Sequence, residues 1–106
     1  MNVLDIMEVW WRSLHTAFEA VGVLTQFGRS PPGRLNPSCG LNLRLNSREA
    51  DLLVWESGEA ELAVGEINGT VRQTHFDDLR GLVDLATVLA QLAEFVLIAP
   101  LGGPDE

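Results

Sequence analysis

Between residues 41 and 76 the chain alternates apolar and polar side chains and breaks that alternation at three short clusters of turn-forming residues. A period of two sends successive side chains to opposite faces of an extended backbone, so this stretch is committed to a sheet with one buried face. Leu41, Leu43 and Leu45 alternate with Asn42, Arg44 and Asn46, and Ser47 to Glu49 turns the chain. Ala50–Glu56 and Glu59–Ile67 flank Ser57-Gly58, a candidate two-residue hairpin loop. That loop predicts Trp55 facing Ala60 and Leu53 facing Leu62 on one side, with Leu52, Val54, Glu56, Glu59 and Glu61 sharing the other. Asn68-Gly69 suits the positive φ of a type I′ turn and leads into Thr70–Phe76, with Gly65 a candidate bulge before it.

Helical spacing bounds this block on both sides. Val3, Met7, Trp10, Leu14, Ala17 and Val21 form one apolar stripe, and Leu4, Trp11 and Phe18 form a second beside it. Gly22 stands where a left-handed C-cap would end that helix, and Val23–Phe27 reads as a short strand. Pro31, Pro32, Gly33 and Pro37 make 28–38 a loop. At the far end Leu85, Leu89, Leu92 and Val96 line a second helix, with Ala86 and Ala93 beside them and Asp77, Asp78 or Asp84 as its cap. The expectation is an α+β fold: an antiparallel sheet of about four to five strands, with an N-terminal and a C-terminal helix packed on one face. At 106 residues the chain is expected to be one domain over 1–99, followed by a flexible tail over 100–106.

Charge then narrows the function. The net charge is −8, the pI is about 4.5, and the seven basic residues are all arginine. Nucleic-acid binding depends on cations displacing counterions from phosphate, so a nucleic-acid platform is not expected. The same charge steers basic partners. The bias towards Ala, Gly, Leu, Val and Arg is that of GC-rich coding, which suggests a bacterial source. A single cysteine excludes an intrachain disulfide and fits a reducing compartment. Asp5 and Glu8 in the first turns are unlike a secretory signal. The most apolar window, Leu82 to Ala99, carries Asp84 and Glu94 and ends at Pro100, unlike a membrane span. A cytoplasmic location without membrane contact is therefore expected, in a monomer or homodimer.

No constellation for catalysis assembles. His15, Cys39 and His75 have no metal-ligand spacing, and Cys39 with His75 lacks the surroundings of a catalytic pair. No glycine spacing matches a phosphate loop, and clustered Glu59 and Glu61 describe an ordinary solvated strand face. No enzyme activity, cofactor or metal is expected. Arg29, Arg34, Arg44 and Arg48 are expected to balance the acidic hairpin, and Trp10 and Trp11 to pack under the sheet.

The hairpin itself is the functional candidate. From Glu49 to Glu66 it carries six acids and no base. Leu52, Val54, Glu56, Glu59, Glu61 and Glu66 are expected to contact a partner, the acids meeting basic groups and the two aliphatic residues giving apolar contact. The segment LLVWESGEAEL, Leu52 to Leu62, with the strand and amphipathic helix that follow, resembles the TriTu family of bacterial immunity proteins. The likeness runs from about Leu41 to Val96 and centres on Trp55, Ser57, Gly58 and Glu59. It implies a protein that binds and neutralises a cognate toxin of a polymorphic toxin system, with no catalytic residue of its own. The alternatives of similar size and acidity are a phage-type anti-defence inhibitor and a small secretion chaperone or adaptor.

Overall fold

The computed structural model describes residues 2–97. The tail over 100–106 and the end of the expected 1–99 domain lie outside the described residues. Helix α1 (Val3–Ala20) opens the fold and is followed by strands β1 (Leu24–Arg29), β2 (Ser38–Leu45), β3 (Arg48–Trp55), β4 (Ala60–Glu66) and β5 (Val71–Phe76), and by helix α2 (Leu82–Leu97). The strands form one antiparallel sheet in the order β1-β2-β3-β4-β5, each pairing with its neighbour in the chain. Both helices lie on the same face, α1 over β1–β3 and α2 over β2 and β3. The expected α+β architecture is therefore the observed one.

Local chemistry sets the ends of α1. The Asn2 side chain accepts a hydrogen bond from Asp5 N–H at 3.0 Å, and the Asp5 carboxylate accepts from Asn2 N–H at 3.2 Å. This reciprocal box satisfies two donors that a helix start leaves unpaired. At the other end Gly22 takes a φ of +91° and Val23 N–H returns to the Phe18 carbonyl, which turns the chain into β1. The buried stripe runs through Leu4, Met7 and Phe18, with Trp11 half-buried between them. Leu14, Ala17 and Val21, expected in the first stripe, are exposed. A period of 3.6 drifts off a strict repeat, and the C-terminal half of the helix keeps only the Trp11–Phe18 line against the sheet.

The core is the helix-facing side of the sheet. Cys39, Leu41 and Leu43 of β2, Ala50, Leu52 and Val54 of β3, and Ala60 and Leu62 of β4 meet Leu85, Val88, Leu89, Leu92 and Val96 of α2. The four residues expected to line α2 are all buried, whereas Ala86 is exposed.

The β3–β4 hairpin differs from the expected register by one residue, and this is the main correction. Val54 pairs with Ala60, Leu53 with Glu61 and Leu52 with Leu62. The loop is longer than Ser57-Gly58: Trp55 N–H donates to the Glu59 carbonyl, and Gly58 N–H to the Trp55 carbonyl. Gly58 has a φ of +103° and is buried, and its carbonyl accepts from Leu79 N–H at 2.7 Å. A β-carbon there would lie 2.5 Å from the Asp78 carboxylate. A one-residue change of register exchanges the two faces of a strand. Leu52 and Val54 thus point into the core, and Trp55 is not opposite Ala60.

Two turns also differ. Asn46, in the loop between β2 and β3, takes a φ of +56°, whereas neither Asn68 nor Gly69 has a positive φ. The β4–β5 reversal closes instead through Gly69 N–H donating to the Glu66 carbonyl. Pairing continues without an extra residue through Val64–Arg72 and Gly65–Val71, so Gly65 is no bulge. It is small because a β-carbon would meet the Thr70 carbonyl at 2.5 Å.

Candidate functional site

Among the described residues, the opposite face of the sheet carries no helix. Pairing places three rows of side chains across it. One row is Gly28, Gly40, Leu53, Glu61 and His75. The next is Gln26, Asn42, Asp51, Ala63 and Gln73. The third is Leu24, Arg44, Glu49, Gly65 and Val71. Three carboxylates thus stand on the inner strands against one arginine. Small residues at the centre leave an open hollow of about 820 Å³, floored by Gly28, Gly40 and Ala63 and bordered by Asp51, Leu53 and Glu61.

The carboxylates on this face are held in place. Asn42 Nδ2 donates to Asp51 at 2.6 Å and to Glu49 at 2.8 Å, so one amide orients two acids. Glu61 is hydrogen-bonded to His75 Nδ1, and His75 Nε2 lies 3.2 Å from Asp77. The hydrogen bond to Glu61, reinforced by the charges of Glu61 and Asp77, raises the His75 pKa above its ordinary value. The ion pair is half exposed, so it orients more than it stabilises.

The six residues expected at a partner surface do not form one. Leu52 and Val54 are 1% and 0% exposed and cannot touch a partner without unfolding the sheet. Glu61 lies on the bare face. Glu56 and Glu59 sit in the β3–β4 loop, where Asn2 donates to the Glu56 carboxylate at 2.8 Å. Glu66 lies at the other end of β4, paired with Arg48 on the helix side, with Ser47 3.4 Å from its carboxylate. The face carries Glu49 and Asp51 instead, with Leu53, which the expected register had turned to the side of Leu62.

Other candidate groups separate. Cys39 points into the core with its Sγ 3.6 Å from Met7 Sδ, while His75 is on the bare face. The sheet lies between them, which removes the pair as a nucleophile and base. Burial pushes the Cys39 thiol up to about 12, keeping it protonated. His15 stacks on Trp11, 4.8 Å between ring centres. Arg29 does not serve the hairpin: it bridges Asp5 at 2.7 Å and Glu8 at 2.9 Å on α1. The hydrogen bond from Arg29 lowers the Asp5 pKa, aided by the bond from Asn2 N–H. Arg48 donates to the Phe95 carbonyl at 3.3 Å and lies over the Phe95 ring. Trp10 and Trp11 are half-buried against the core, and Trp11 Nε1 donates to Thr25 Oγ1 at 3.0 Å.

A second hollow of about 830 Å³ opens on the helix side, beside α2, over Val64, Arg72 and Phe95. No described helix is long and apolar enough to cross a membrane. Comparison of the chain with models of known families, with curated proteins and with solved structures finds no match.

Proposed function

We propose that this chain is a binding inhibitor: an immunity protein that neutralises a cognate bacterial toxin by docking the bare sheet face against a basic surface of it. The observation that carries this reading is the uncovered acidic face, where Asp51 and Glu61 border a hollow beside Leu53 and Glu49 stands in the row next to Asp51. Acids already oriented by Asn42 and His75 lose little side-chain freedom on binding. Opposite charge speeds encounter and disfavours wrong partners, while Leu53 and Trp55 supply apolar contact. The resemblance of the hairpin to immunity proteins points to a toxin as the partner.

The test compares the protein with an Asp51→Lys, Glu61→Lys variant. Each is used to capture partners from the cells that make it, and the captured protein is assayed for toxicity with and without the inhibitor. The reading expects one basic toxin domain, held stoichiometrically and silenced by the wild type, with association slowed at least tenfold by the double reversal. Equal capture and equal protection by both proteins would refute this placement of the interface. A captured protein whose activity is unaffected would refute the inhibitor reading.

A further inference from the structure

We infer that two copies of this chain pair antiparallel along the outer edges of β5, extending the sheet to ten strands. Among the described residues β5 ends the sheet, bonded to β4 on one side only. Residues 71–75 are exposed, and the main helix contacts fall on β1–β3, so the outer edge of β5 is left open. An unpaired edge of six residues with no proline and no bulge is a template for another strand.

A register centred on Thr74 makes the edge self-complementary. A two-fold axis at Thr74 sets Arg72 beside Phe76 of the second copy and Gln73 beside its His75, with Thr74 meeting Thr74. Directly opposed residues share a face, so the helices of both copies fall on the same side. This places a guanidinium against an aromatic ring on the helix side, twice by symmetry. Centring on Arg72 instead would oppose two guanidiniums. In the Thr74 register the imidazoles approach only diagonally, and each is already compensated by Glu61.

Charge selects this edge over β1. The chain is strongly acidic, so two copies repel over most of their surfaces. Beside β1 lies α1, where Asp5, Glu8 and Glu19 outnumber Arg12 and the bridging Arg29, and pairing there would bring two net-acidic surfaces together. At β5, Arg72 and His75 balance Glu61 and Asp77. The helix-side hollow beside α2, over Val64, Arg72 and Phe95, would become half of a trough spanning the two copies. The bare acidic faces would lie side by side on the other surface, so dimerisation leaves both uncovered.

A contact six residues long spans roughly 20 Å, so association is expected to be concentration-dependent and not obligate. Sedimentation equilibrium from about 1 to 500 μM tests it, with circular dichroism as the check on folding. The mass is expected to double from 11.6 kDa across that range. Thr74→Arg puts like charges on the axis and should hold the mass at that of one chain with an unchanged spectrum. Thr74→Cys should form a disulfide-linked dimer under mild oxidation, since opposed strand residues lie within disulfide reach. Thr16→Cys, exposed on α1, is the control and should remain largely uncrosslinked. A wild type that stays monomeric throughout overturns the inference. So does a dimer that survives Thr74→Arg while Thr74→Cys fails to crosslink.

Discussion

The one-residue register of the β3–β4 hairpin is open to a direct energetic test, because adjacent leucines exchange roles between the two possible pairings. Leu52 is 1% exposed and Leu53 is 37% exposed. Leu52 stands in the middle of the core row, opposite Leu41 on one side and Leu62 on the other. Truncating it to alanine removes buried methyl groups and leaves a cavity that a close-packed interior fills only in part, a cost of about 2–5 kcal/mol. Leu53 faces solvent beside the open hollow, so Leu53→Ala leaves no closed cavity and should cost less than about 1 kcal/mol. A domain of this length is stable by roughly 5–15 kcal/mol, so both variants should fold. Urea unfolding followed by tryptophan fluorescence reads the difference. With a slope of about 1.5 kcal/mol/M, a loss near 3 kcal/mol lowers the midpoint by about 2 M, against well under 1 M for Leu53→Ala. If Leu53→Ala proves the more damaging, with slopes unchanged, the inward side of β3 is the other one and the assignment of the bare face falls with it.

Three further outcomes follow from the same geometry. Gly58→Ala forces a β-carbon onto a φ of +103° against the Asp78 carboxylate. Backbone strain alone costs about 1–3 kcal/mol, and Tm in a melt should fall by about 5 °C or more. Cys39, with its pKa pushed up to about 12 by burial, should resist an aromatic disulfide reagent in the native protein at pH 8 and react at once in denaturant. Rapid native labelling would contradict its burial. The His75 pKa is raised above its unfolded value near 6.5, so the stabilisation from Glu61 and Asp77 is complete below that value and is lost as pH rises through the folded pKa. Titration of the His75 ring by NMR should show the elevated pKa, and Glu61→Gln should bring it back towards the ordinary value.

Much of the architecture was legible because its signals are local. Leucines two apart in β2 and apolar residues three and four apart in α2 report burial of one face without reference to the rest of the chain. The hairpin register was not legible, since Leu52, Leu53, Val54 and Trp55 are four apolar residues in a row and a period of two cannot choose between them. What decides is tertiary: Gly58 is buried under Asp78, and Leu79, 3% exposed, hangs from its carbonyl. Asp51 in β3 was the available clue, because a carboxylate prefers the wet face and sends Leu52 inward to meet Leu62. The links from Arg29 to α1 and from His75 to Glu61 depend on the packing of α1 and the register of β5. No short window carries either one.

The meander order has a consequence for how the chain assembles during synthesis. Strands that pair with their neighbours in sequence close short loops, so the sheet grows hairpin by hairpin at low entropic cost. Helix α1 is the exception. It precedes all five strands in the chain, yet the surface it covers spans β1 to β3, ending at Trp55. At 5–20 residues per second, its apolar stripe waits roughly 2–7 s for that surface to be made. The capping box at Asn2 and Asp5 lies wholly within the first turn, so the helix can hold its start through that interval. The docking of α1 therefore waits for β3, and comes after the pairing of β1 with β2.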